Sequence, residues 1–146
     1  MSTRSRIALK TGPNECLAIY VHFDGYVDHH GPILLNHYAT RERVEALLAL
    51  GDLSGLGAEL GDKQDFDDRS TQRDNWCLAY GRDRGETGID ARIMPVDDLT
   101  TGMIAYGYLF DPATGAWSVK QNGREFVPLA GHPELPAPEA VGAACV

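Results

Sequence analysis

Between residues 16 and 23 the apolar side chains alternate, with Leu17, Ile19, Val21 and Phe23 on one side of an extended chain and Ala18, Tyr20 and His22 on the other. A period of two fits a half-buried strand and no helix. Residues 5–10 repeat the pattern with Ile7 and Leu9, and the cluster Thr11-Gly12-Pro13-Asn14 turns the chain back between the two segments. The chain must therefore contain a hairpin with one buried face.

Further along, Gly31-Pro32 predicts the opening of a short helix carrying Leu34, Leu35 and Tyr38, since proline is accepted in a first turn. Thr40 is a suitable cap for a second helix over residues 41–50, where Val44, Leu47 and Leu48 form an apolar stripe that Gly51 terminates. Residues 51–57 are too rich in glycine for a regular element. Residues 76–80 read as a strand and 91–96 as an edge strand; residues 103–110 and 116–121 form a hairpin about the turn at 111–115, and Asn122-Gly123 begins another. From Pro128 onward the prolines increase and large apolar groups become scarce. The expectation is an α+β fold with a single mixed, mostly antiparallel sheet and two helices packed on one face. It places one domain over residues 1–127 and an irregular tail over 128–146; a chain of 146 residues, 43% hydrophobic, can bury one core of ordinary size.

A formal charge of −8 argues against direct nucleic-acid binding by counterion release, which requires a basic face. No apolar run approaches the roughly 20 residues that span a bilayer, and the N-terminal residues lack the core of a signal peptide. A cytoplasmic protein with no membrane partner is expected. Cys16, Cys77 and Cys145 are too few and too scattered for a disulfide framework, no Cys-x-x-Cys pair points to zinc, and Ser54 lacks the Gly-x-Ser-x-Gly elbow. A cysteine or serine hydrolase is not expected.

The polar residues gather at two strand ends. Residues 20–31 hold His22, His29 and His30, two aspartates and two tyrosines, where packing alone gives little reason for them. Residues 81–86, Gly-Arg-Asp-Arg-Gly-Glu, form the second group. If the sheet brings the two together, His22, Asp24, Tyr26, His37, Tyr38, Arg82, Asp83, Arg84 and Glu86 are the candidate ligand-binding residues, with arginine suited to bidentate capture of phosphate. Against this stand plainer readings: a surface ion-pair ladder at Arg82-Asp83-Arg84, and a turn cap at Asp24. His22, Asp24, Asp28, His29, His30 and His37 could supply divalent-metal donors. Their spacing matches no ligand signature, and in an extended segment His29 and His30 would face opposite ways, so no metal or cofactor is expected.

Acid is concentrated in the middle of the chain. Residues 61–100 carry ten Asp or Glu against six Lys or Arg, and Asp62, Asp65, Asp67, Asp68 and Asp74 share one segment without regular pattern. Such a segment is ordinarily a solvated loop, but it could also imitate phosphate charge and occupy a basic channel on a partner. These five are the candidate partner-binding residues.

Several blocks, taken as a set, resemble a family of small bacteriophage and prophage proteins. They are residues 1–7, Tyr20-Val21-His22-Phe23-Asp24-Gly25-Tyr26, the block at 31–38, Leu50-Gly51-Asp52-Leu53-Ser54, and Ala79-Tyr80-Gly81-Arg82-Asp83-Arg84-Gly85-Glu86. The likeness covers residues 1–90 and departs from the family pattern at Val21, Phe23, Val27 and Gly81. Gly81 stands where relatives carry histidine, which argues against catalysis through that position. The resemblance implies an accessory protein that counteracts host defence. Its first form is an anti-CRISPR-type inhibitor that binds a host defence protein or complex through the acidic surface. The alternatives are a binder of a nucleotide-like defence signal through a His/Tyr/Arg pocket and, less favoured, a small metal-dependent or acid/base enzyme using His22 and Asp24.

Overall fold

The hairpin read from the alternation is the centre of the fold. β1 (Ser5–Gly12) and β2 (Glu15–Val21) pair antiparallel, with Ile7 opposite Ile19 and Leu9 opposite Leu17. The computed structural model describes residues 2–136. After the hairpin come α1 (Val27–His37), α2 (Arg41–Ala49), β3 (Leu53–Gly55), β4 (Leu78–Ala79), α3 (Tyr80–Arg84), β5 (Arg92–Met94), β6 (Tyr106–Asp111), β7 (Ala116–Gln121) and β8 (Val127–Pro128). Short 3-10 turns lie at Arg69–Thr71 and Val96–Asp98. One eight-stranded sheet runs β4-β3-β2-β1-β6-β7-β8, with β5 paired to β2 off this line.

The fold is therefore α+β about one mixed sheet, as the patterning suggests. Two pairings are parallel, β1 with β6 and β2 with β3. The first joins the N-terminal hairpin to the C-terminal one, and a parallel pair requires a long crossover, which here is everything between β1 and β6. A third helix, α3, was not expected. On one face α1 and α2 bring Leu34, Tyr38, Val44 and Leu47 onto Ile7, Ile19, Val21, Tyr108 and Phe110. The opposite face carries the small residues Ala8, Cys16 and Ala18 beneath Leu99. They are small because residues 98–101 pass close over the sheet, tied down by Arg6, whose guanidinium donates to the carbonyls of Asp98, Leu99 and Thr101.

Local chemistry explains where the elements match the sequence and where they do not. Thr40 caps α2 as expected, its hydroxyl accepting the Arg43 N–H at 3.3 Å. In contrast, α1 begins at Val27 and contains Pro32, so His29 and His30 lie in a helix and not in an extended segment. Residues 51–57 hold β3, whose Leu53 and nearby Leu56 are buried; the leucines outweigh the glycines. The strand expected at 76–80 shrinks to β4, because Tyr80 already starts α3, and Gly85 ends that helix in the left-handed conformation at φ 80°.

Past residue 127 the chain still packs on the core. Leu129 is fully buried in the main core, and Leu135 lies so close to α1 that a Cβ on Gly31 would sit 2.4 Å from its Cδ2. A side chain at that point of the helix would require Leu135 to shift. The rest of the expected tail, residues 137–146, lies outside the described residues. Among the described residues no helix is long and apolar enough to cross a membrane.

Candidate ligand-binding cleft

The crowded segment after β2 is shaped by two backbone devices. His22 and Phe23 extend the ladder to β3, their N–H groups donating to the carbonyls of Leu53 and Ser54, and Asp24 then adopts φ 61°. Aspartate tolerates this left-handed conformation better than most side chains, and it turns the chain into α1. The Gly25 N–H donates to the Thr3 carbonyl and its own carbonyl accepts from the buried Tyr108 hydroxyl at 2.6 Å. The turn is thus fastened on both sides.

The second wall comes from the long loop between β3 and β4. Asp83, its side chain fully buried, accepts hydrogen bonds from the N–H groups of Gln64 and Ala79 and from Arg82. Arg82 donates onward to the carbonyls of Leu60, Gly61 and Cys77. Burial works to raise the Asp83 pKa, but the bonds from Arg82, Ala79 and Gln64 outweigh it and hold the carboxylate below its ordinary range. These two residues fix the loop and leave no face for a ligand. Within the loop, Asp65 accepts the Asp67 N–H, and Asp68 accepts the Ser70 hydroxyl and N–H, which lowers the Asp68 pKa.

Where the two walls meet they enclose a cleft of about 330 Å³. Phe23, Asp24 and His29 line one side, Ser54, Gly55 and Leu56 the floor, and Gln72, Arg69, Arg73, Asp74 and Trp76 the other side. The Arg73 guanidinium lies 5.1 Å from the centre of the Trp76 ring. The volume is near the lower end of small-ligand sites, roughly 300–1,000 Å³. A larger hollow, about 490 Å³, lies between β6, β7 and residues 124–134 and gathers none of the strand-end groups.

Of the nine ligand-binding candidates read from the sequence, Asp24 lines the cleft. Tyr26 bonds to Asp24, its hydroxyl donating at 3.0 Å, and that bond raises the Tyr26 pKa. His22 stands beside the cleft, edge-on to Phe23 at 4.5 Å, with Nδ1 2.6 Å from the Tyr20 hydroxyl and Nε2 3.0 Å from the Ser2 hydroxyl. His37 is exposed at the last turn of α1 and does not line it. Tyr38 is a core residue: its hydroxyl donates to the Gly57 carbonyl at 2.8 Å, and its own carbonyl accepts the Trp117 ring N–H. Arg84 pairs with Glu86 and lies over the rings of Phe66 and Tyr80, on the outside of α3.

The acidic candidates divide in the same way. Asp62, Asp65, Asp67, Asp68 and Asp74 are all exposed, but Asp65 and Asp68 are spent on the loop's own turns, and Asp74 faces the cleft. Sequence reasoning missed Arg69, Arg73 and Trp76, whose signal was present as two arginines and a tryptophan inside a segment read only for its acid. Among the described residues no group of three or more His, Cys, Asp or Glu is arranged to hold a metal. Burial pushes the Cys16 thiol up to about 11 and raises that of Cys77, so both are poor nucleophiles. Comparison of the chain with protein-family models, curated proteins and solved structures gave no match.

Proposed function

We propose that the protein captures a small anion with a planar base, of the nucleoside monophosphate class, in the cleft between the strand-end turn and the loop. The observation that carries this reading is the convergence of two aromatic rings, Trp76 and Phe23, with Arg69, Arg73 and His29. The exposed Phe23 ring can take a base by stacking, with Trp76, already covered by Gly61 and the Arg73 guanidinium, walling the site beside it, and arginines take phosphate by charge-assisted hydrogen bonds. Asp24 and Asp74 balance the arginine charge, which favours a ligand with donors as well as an anionic end. Ribose hydroxyls and exocyclic amines are such donors.

The test is a titration of tryptophan fluorescence, Trp76 signalling from the cleft over the background of the buried Trp117, with adenosine and guanosine 5′-monophosphates and with inorganic pyrophosphate. Saturable quenching by at least one of them is the expected result. Arg73→Ala should then weaken binding about 10- to 100-fold, the loss of one charge-assisted bond, with stability changed by less than about 0.5 kcal/mol. No response from any probe at millimolar concentration sinks the reading.

A second reading keeps one specific support, the exposure of the acidic loop. Under it the loop occupies a basic face on a host defence complex, in the manner of an anti-CRISPR-type inhibitor. The informative variants are Asp62→Lys and Asp67→Lys together, because Asp65 and Asp68 hold the turns. The double variant should lose capture of such a complex by at least 10-fold at low salt while leaving nucleotide titrations unchanged. Unaltered capture removes the loop from the interface.

A further inference from the structure

A second histidine lies behind the one in the cleft. Ser5 and His30 are both fully buried, and the His30 ring packs against Tyr108 with centres 5.4 Å apart. His30 Nε2 is 3.1 Å from Ser5 Oγ, and its Nδ1 is 3.0 Å from His29 Nδ1. Three side chains thus form one line, from the interior at Ser5 to the cleft at His29.

The proton positions follow from counting donors. Burial, reinforced by His29, drives the His30 pKa down to about 3, so its ring carries a single proton. The Ser5 hydroxyl makes its side-chain hydrogen bond to His30 Nε2 alone among the described residues. Were Ser5 the acceptor, its own proton would be left buried without a partner, a costly arrangement. Ser5 therefore donates, Nε2 of His30 accepts, and the one His30 proton resides on Nδ1. That proton donates to Nδ1 of His29, which must present a lone pair. Nε2 of His29 has no hydrogen-bond partner among the described residues, and the ring lines the cleft.

We infer that Ser5 and His30 form a buried tautomer lock that holds the proton of His29 on Nε2, offering it to the cleft as a donor to an oxyanion of the ligand. Ser5 and His30 are positioning residues, and His29 is the group that meets the ligand. The ligand part of the inference rests on the cleft reading, whereas the lock stands on the buried geometry. A lock of this kind accounts for a fully buried histidine inside a helix whose other inward residues, Val27, Gly31 and Leu34, are apolar or small. It also makes recognition directional, since a ring free to change tautomer could accept from a ligand hydroxyl as readily as donate to an oxyanion.

The test is nitrogen NMR on the full chain with 15N-labelled histidine at neutral pH, free and with guanosine 5′-monophosphate or inorganic pyrophosphate. The expected spectrum has a protonated-type Nε2 and an unprotonated-type Nδ1 for His29, with the reverse for His30. A proton on Nδ1 of His29 overturns the inference, whatever the titration shows. In Ser5→Ala the His30 tautomers should mix, the His29 signals should move toward average values, and affinity for the probe should fall about 2- to 10-fold. Unmoved His29 signals in a folded Ser5→Ala also overturn it. The predicted tautomers without any response to either probe would uphold the lock and refute the cleft reading, so the two failures are distinct.

Discussion

Asp83→Ala lowers stability by about 3–5 kcal/mol, the range for removing one member of a buried charge pair. The carboxylate has no exposed side-chain surface and holds together Gln64, Ala79 and Arg82, which belong to a long loop, a strand end and α3. Its loss leaves two backbone N–H groups without their acceptor and a largely buried guanidinium without its counter-charge, although the bonds from Arg82 to the carbonyls of Leu60, Gly61 and Cys77 remain. In a domain of this size the melting temperature should fall by on the order of 10 °C, read by calorimetry or circular dichroism. A fall worth less than about 1 kcal/mol would mean that the loop holds without the clamp. The pH dependence has a definite sign. A carboxylate held below its ordinary range contributes stability above the unfolded pKa, near 3.9, and that contribution is lost as pH falls through the folded value. Wild type should therefore lose stability in acid below about pH 4, and Asp83→Asn should lose it along a shallower slope.

Leu129→Ala costs about 2–5 kcal/mol by the same measurement, through lost burial and the cavity left behind. Leu129 is fully buried among the core residues of both hairpins, and its N–H donates to the Trp117 carbonyl at 3.0 Å. A cost below about 1 kcal/mol would show that residues after β8 add little and would return the domain boundary to residue 127. The expected cost makes the segment past β8 part of the folded unit. The two residues share no hydrogen-bond partner, and their effects should add.

The hairpins were legible because their signals are local. The alternation of Leu17, Ile19 and Val21 and the cap at Thr40 each involve a few neighbouring residues, and tertiary contacts agree with them. What was hidden depends on distance. Nothing near Leu129 in sequence announces that it will fill a gap, and the glycines of residues 51–57 conceal a strand made by pairing at the end of β2. Arg82 and Asp83 carry two readings in the sequence, an ion-pair ladder and a ligand trap, because charge at a strand end has two uses; which one operates depends on carbonyls at Leu60, Gly61 and Cys77. In the cleft, Asp24 and His29 were visible as unusual residues in an unusual place. Arg73 and Trp76 were not, since only the fold of the loop carries them across to face that turn.

The sheet ends in very short strands, β4 and β8 at the two ends of the strand order and the three-residue β5 beside β2 off it. β4 spans Leu78–Ala79 before the chain coils into α3, and β8 spans Val127–Pro128, with a proline that lacks an N–H to offer. A border of two residues gives an incoming strand very little to pair with. Polymerisation by strand addition is thereby discouraged without a dedicated covering segment. A variant that unwinds α3 into extended chain would lengthen one such border and be the one to form fibres by strand addition.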